Sequence, residues 1–107
     1  MSARMHEYDL YFPFVNEAGV RATDKVFSDI KARLTEFFGG LTDFHHRGDG
    51  AWKYAGVTYH DEVVLLRMLS DEPDRARKFL RAIQHELASV LDQEEILIIE
   101  REVARLD

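Results

Sequence analysis

Histidine and aromatic side chains are the residues of this chain whose types and spacing best suit ligand binding. Trp52 and Tyr54 lie within a glycine-containing stretch from residue 47 to residue 57, which His45 precedes and His60 follows. Glycines permit movement and aromatic rings offer flat apolar area, so the stretch suits a lid over a ligand. The competing interpretation is that Trp52 closes one end of the core. We predict that any pocket is lined by Trp52, Tyr54, His60 and one of the adjacent histidines, His45 or His46.

The same histidines raise the question of a metal site, because imidazole and carboxylate groups together suit divalent ions. Adjacent His45 and His46 point to opposite faces of a regular strand, so they cannot both bind one ion. The chain contains no cysteine, and the spacing of its histidines and acids matches no known metal motif. We therefore expect no bound metal and no cofactor.

Asp9 is unusual because it stands in the middle of a predicted strand, where aspartate is disfavoured. One interpretation is an ion pair at an interface, with Arg67 of a neighbouring strand as its partner. The other is an acid or base in a pocket. The chain has no glycine-rich phosphate loop and no Gly-x-Ser-x-Gly motif that would favour a particular reaction. The candidates for an enzymatic site are therefore isolated residues: Asp9, Tyr11, Trp52 and His60.

The elements that position these residues follow from the periods of the apolar side chains. Residues 7–15, 41–46, 59–69 and 95–103 read as strands, and residues 52–54 as the start of the return strand. Residues 24–38 and 73–91 follow the helical period, and Gly39 and Gly40 supply the stop of the first helix, where at least one should have a positive φ. The order β-α-β-β-α-β predicts an α+β, ferredoxin-like fold in a single domain, residues 1–107. It has a four-stranded antiparallel sheet with two helices on one face.

The predicted strands 59–69 and 95–103 are apolar on both faces, whereas a sheet face in water should alternate with polar residues. In one strand Val64, Leu66 and Met68 oppose Val63, Leu65 and Leu69; in the other Ile96 and Ile98 oppose Leu97 and Ile99. An exposed apolar face of this kind usually marks an interface. We predict a homodimer, or a higher even oligomer, formed through the open sheet face. The alternative is that loops or the residues after Val103 cover this face.

Composition narrows the partners and the compartment. The chain has 107 residues and a formal net charge of −6, which argues against a general nucleic-acid binder. No stretch approaches the roughly 18 apolar residues that span a bilayer, so no membrane segment is expected. The first residues lack the apolar run of a secretory signal, and we expect a cytoplasmic location.

Four blocks of sequence resemble a family of short, uncharacterised bacterial proteins. The blocks are Phe-Gly-Gly-Leu-Thr at 38–42, Gly-Ala-Trp-Lys at 50–53, Asp-Glu-Val-Val at 61–64 and Gln-Glu-Glu-Ile-Leu-Ile at 93–98. The resemblance extends from about Tyr8 to Glu100 and includes an opening strand of the Leu-Tyr-Phe-Pro type. It implies the β-α-β-β-α-β pattern but no activity, substrate or site residue.

Two functions from different classes are compatible with these features. The first is a non-catalytic, dimeric binding or regulatory module that recognises a small molecule or a protein partner. The second is a small cofactor-independent enzyme of the dimeric ferredoxin-like barrel type. A deep pocket with a buried histidine or aspartate would favour the enzyme, and a filled interior would favour the binding module.

Overall fold

A computed structural model describes residues 2–14, 22–45, 52–54, 57–59 and 63–106, with side chains for residues 4–14, 22–44 and 64–106. The elements in chain order are β1 Ser2–Pro13, α1 Asp24–Phe38, β2 Thr42–His45, β3 Trp52–Tyr54, β4 Val57–Tyr59, β5 Val63–Ser70, α2 Pro73–Val90 and β6 Ile98–Leu106. None of the helices in these ranges is both long and apolar enough to cross a lipid bilayer.

Four of the strands form one antiparallel sheet in the order β2-β5-β1-β6. The central strands β1 and β5 are each followed by a helix, and the crossovers carry the chain to the edge strands β2 and β6. The predicted α+β, ferredoxin-like arrangement of four antiparallel strands and two helices is therefore confirmed. The short strands β3 and β4 pair only with each other in a separate two-stranded sheet.

Several strand boundaries differ from the prediction. The predicted strand 59–69 is divided, because β4 ends at Tyr59 in the small sheet and β5 begins at Val63 in the large one. Strand β1 begins at Ser2 instead of residue 7, and β6 occupies 98–106 instead of 95–103; β1 ends at Pro13, as expected of a residue that has no amide hydrogen to donate to the ladder. The β1–β6 ladder runs from Ser2, opposite Leu106, to Leu10, opposite Ile98. The alternation of apolar residues indicates which positions of a strand are buried, but it does not show where the backbone hydrogen bonds end. Backbone pairing therefore continues beyond the alternating residues.

Helix α1 is capped at both ends. The Thr23 hydroxyl accepts a hydrogen bond from the Val26 amide at 3.3 Å, and Gly39, with a φ of 79°, ends α1 in the left-handed conformation. This confirms the prediction of a positive φ at Gly39 or Gly40. Helix α2 begins at Pro73, as its position near the first turn predicts. Asp92, with a φ of 49°, follows the end of α2.

The core lies between the sheet and the two helices. Side chains at alternate positions of β1 and β5 point toward the helices, and the helices contribute one apolar stripe each. The buried members are Tyr8, Leu10, Phe12, Phe14, Phe27, Ile30, Leu34, Val64, Leu66, Met68, Ala76, Leu80, Ile83, Leu87, Leu91 and Ile96. The face of the sheet that the helices cover is called the helix side below.

Candidate functional site

The strand register determines which residues share the face of the sheet that the helices do not cover, called the open face below. Asp9 of β1 lies opposite Arg67 of β5 and Ile99 of β6, and the same alternation extends in both directions along the strands. The helix side of β5 is apolar, as predicted, but its open face carries Arg67 between Leu65 and Leu69, so the prediction of two apolar faces is only partly correct. The open face comprises Phe44, Leu65, Leu69, Leu97, Ile99 and Val103 around Glu7, Asp9, Tyr11, Arg67 and Arg101.

A cluster of four charges occupies the centre of the open face. Arg67 donates from Nε to Asp9 Oδ1 at 2.8 Å and from Nη2 to Asp9 Oδ2 at 3.1 Å, and Arg101 Nη1 donates to Asp9 Oδ2 at 2.8 Å. Glu7 pairs with Arg101, which lies directly opposite it, and Glu7 Oε1 also lies 3.2 Å from Arg67 Nε. Asp9 has no exposed surface, while the side chains of Arg67 and Arg101 are 37% and 32% exposed. The arginines therefore cover the aspartate as well as neutralise it.

The electrostatics of this cluster keep Asp9 ionised. Burial by itself would raise the pKa of the Asp9 carboxyl, but hydrogen bonds from Arg67 and Arg101 favour the charged form, and the net effect lowers the pKa. The same hydrogen bonds raise the pKa of Arg67 and of Arg101. The two carboxylates and two guanidiniums balance in charge, so the centre of the open face carries no net charge.

Apolar side chains flank the charged cluster. Tyr11 is buried and packs against Leu65, Leu97 and Ile99. Leu69 is 42% exposed and Phe44 is 44% exposed, and the Phe44 ring centroid lies 5.0 Å from the Arg67 guanidinium carbon. Half-exposed apolar groups therefore lie beside a neutralised ionic centre.

Of the four predicted pocket residues, the structure describes the backbone of Trp52, Tyr54 and His45 but none of the side chains. The backbone places Trp52 opposite Tyr59 and Tyr54 opposite Val57, and His45 ends β2 opposite Val64. Their side chains are not described, and His60 and His46 lie outside the described residues. The pocket of Trp52, Tyr54, His60 and His45 stays a prediction.

Of the candidates for an enzymatic site, Asp9 and Tyr11 are described. They lie on the open face at successive outward positions of β1. Within the described side chains, no group of three histidine or acidic residues could hold a metal ion. Because the side chains of residues 45, 46 and 60 are outside this part of the chain, the expectation of no bound metal stays a prediction.

Sequence reasoning identified the pairing of Asp9 with Arg67 but missed Arg101 and Glu7. A signal for both was present, because Glu7 is two residues before Asp9 and Arg101 is two residues after Ile99. Residues two apart on a strand share a face. The sequence pattern does not give the register of β1 and β6, so it does not show that Arg101 lies opposite Glu7.

Comparisons with models of protein families, with curated proteins and with solved structures find no match for this chain.

Proposed function

We propose that the chain is a non-catalytic, cytoplasmic binding or regulatory module that acts as a homodimer, paired through its open face. The observation that carries the proposal is Asp9, a buried and doubly paired carboxylate framed by half-exposed apolar side chains. Its partner in assembly is a second copy of the chain, and its ligand is a small molecule or another protein.

The charge balance of the open face supports pairing with a second copy. In a two-fold symmetric dimer the same patch occurs on both sides, so a patch with net charge would repel its copy. Here Glu7 and Asp9 are balanced by Arg67 and Arg101 within one chain. A second copy would therefore meet a neutral centre, with Leu69 and Phe44 available for apolar contact.

The ionisation of Asp9 favours a binding module over the enzyme. A general base works best with a pKa near the working pH, and it needs a free oxygen directed at the substrate. Both carboxylate oxygens of Asp9 instead accept hydrogen bonds from arginines, and its pKa is lowered. Asp9 is better suited to holding three strands in register than to moving a proton.

Analytical ultracentrifugation tests the proposal. The wild-type chain at micromolar concentration should sediment at about twice its monomer mass of 12.5 kDa. Leu69→Asp should shift the chain to the monomer, because burying a carboxylate in an apolar interface removes it from water at a high cost. Leu69 is 42% exposed, so the variant should keep its fold.

Val90→Asp is the matched control for this substitution. Val90 is 56% exposed but lies at the end of α2, away from the open face. This variant should sediment like the wild type. A monomeric wild type would refute the dimer, and so would a Leu69→Asp variant that stays dimeric with the wild-type association constant.

A further inference from the structure

A cavity on the helix side, away from the open face, has features of a binding site. It lies between α2 and β6, is open to solvent and has a volume of about 210 Å³. Leu80 of α2 and Ile98 of β6 supply apolar surface, and Tyr8, Arg77, Arg81 and Glu100 supply polar groups. The cavity therefore combines apolar and charged walls in a small volume.

The Tyr8 hydroxyl lines this cavity with unused hydrogen-bonding capacity. Tyr8 is 1% exposed, and its buried hydroxyl makes no hydrogen bond of regular geometry within the described part of the chain. Burial raises the pKa of this hydroxyl, and the nearby Glu100 carboxylate raises it further, so the group stays protonated. The hydroxyl interacts with the Glu100 carboxylate, but not in the geometry of a regular hydrogen bond, so part of the cost of burying it remains. A ligand atom in the cavity would remove that cost.

The charges around the cavity leave one cation uncompensated. Glu100, opposite Tyr8, accepts a hydrogen bond from Arg77 Nε at 2.7 Å and a second from Arg77 Nη2, so these two charges cancel. Arg81, one turn further along α2, forms no ion pair with any described residue. Arg77 also lies 3.5 Å from the Asp74 carboxylate, so the positive charge open to a ligand is that of Arg81, and it favours an anion beside it.

We propose that this cavity binds a small organic monoanion, with its carboxylate at Arg81 and the Tyr8 hydroxyl and its short apolar body against Leu80 and Ile98. The inference rests on the proposed function in that a binding module requires a ligand. It does not depend on dimerisation, because the cavity and the open face lie on opposite sides of the sheet.

Nuclear magnetic resonance titration of the full chain with benzoate tests the inference. Benzoate should produce saturable shifts of the amide signals of Tyr8, Leu80, Arg81 and Ile98. Benzamide has a similar shape without the charge, and it should bind at least about fivefold more weakly, since hydrogen bonds to charged groups are the stronger ones.

Two variants and a control locate the site. Tyr8→Phe removes only the hydroxyl, and Arg81→Gln removes the charge at an exposed position. Each should raise the Kd for benzoate at least about fivefold, as expected for the loss of one charge-assisted hydrogen bond. Lys25→Gln is the control. It removes a positive charge at an exposed position of α1, away from the cavity, and should leave the Kd for benzoate unchanged.

Four results would overturn the inference: no saturable shift with millimolar benzoate, shifts confined to the open face, equal affinity for benzamide, or an unchanged Kd in Arg81→Gln. Because Arg81 is exposed, Arg81→Gln should fold normally, and its Kd for benzoate can be measured even if Tyr8→Phe lowers the stability of the fold.

Sedimentation of the same samples separates the two proposals. A monomeric chain that binds benzoate would support this inference and refute the dimer. A dimeric chain that does not bind benzoate would support the dimer and refute this inference.

Discussion

Asp9 is a fully buried carboxylate in the middle of a sheet, and its neighbours explain how the fold accommodates it. An isolated buried charge is strongly unfavourable, so such groups are either paired or neutral. Asp9 has three hydrogen bonds from two guanidiniums, which come from the strands on either side of its own. The pairing therefore joins β5, β1 and β6 through side chains as well as through the backbone.

Asp9→Asn tests the strength of this pairing. The variant keeps the shape of the side chain but removes the charge that balances two half-buried arginines. We expect a loss of about 2–3 kcal/mol in the free energy of unfolding, because hydrogen bonds to charged groups are lost and the arginines remain. Urea denaturation measures the change. Asp29→Asn on the exposed side of α1 is the control and should stay within about 0.5 kcal/mol of the wild type. Equal effects of the two substitutions would contradict the role assigned to Asp9.

The lowered pKa of Asp9 predicts how stability depends on pH. The carboxyl binds a proton less readily in the folded chain than in the unfolded chain, whose pKa is near the ordinary value of 3.8. Its contribution is therefore fully present above that value and is lost as the pH falls through the lower, folded-state pKa. The stability difference between wild type and Asp9→Asn should be constant near neutral pH and shrink in acid below about pH 4. Urea midpoints measured from neutral to acidic pH test this, and a difference that grows in acid would be inconsistent with a lowered pKa.

At the scale of the elements, α1 was predicted at its observed bounds because its two ends have strong local signals. Thr23 accepts the capping hydrogen bond, and Gly39 adopts the left-handed conformation that stops the helix. Strand ends have no comparable local signal, since a strand continues as long as a neighbour offers backbone partners. This is why β1 and β6, which pair along residues 2–10 and 98–106, differ most from their predicted ranges.

Gly39→Ala tests the helix stop, and Gly40→Ala is its matched control. A methyl group at either position would meet no atom within 4 Å, so neither substitution causes a steric clash. Gly39 has a φ of 79°, however, and Gly40 is not in the left-handed region. We expect Gly39→Ala to lower the free energy of unfolding by about 1 kcal/mol through backbone strain, and Gly40→Ala to be neutral or slightly stabilising. Thermal or urea unfolding measures both, and similar losses in the two variants would show that φ at Gly39 is not the cause.

At the scale of the whole molecule, the fold was more predictable than the site. The alternation of β1 and the stripes of α1 and α2 record which side chains enter the core, and that information is enough to order four strands and two helices. The site depends on contacts between strands far apart in sequence. Asp9 meets Arg101 only after the register of β1 and β6 is known, and the cavity beside Tyr8 depends on how α2 lies over β6. One sequence contains no direct record of those distances.

Self-association, if it occurs through the open face, should appear in the stability of the whole molecule. A chain that folds as a dimer gains stability with concentration by mass action, whereas a monomer does not. For a dimer of chains this size we expect the melting temperature to rise by about 3–4 °C for each tenfold increase in protein concentration. Differential scanning calorimetry over a hundredfold range would measure the slope.

Leu69→Asp and its control Val90→Asp test whether the concentration dependence of the melting temperature comes from the open face. Leu69→Asp should remove the concentration dependence, while Val90→Asp should keep it, because the two residues are similarly exposed but only Leu69 lies beside the charged cluster. A wild-type melting temperature independent of concentration would contradict the dimer. A slope that persists in Leu69→Asp and disappears in Val90→Asp would instead place the contact on the helices, where an apolar groove separates α1 from α2 near Val90.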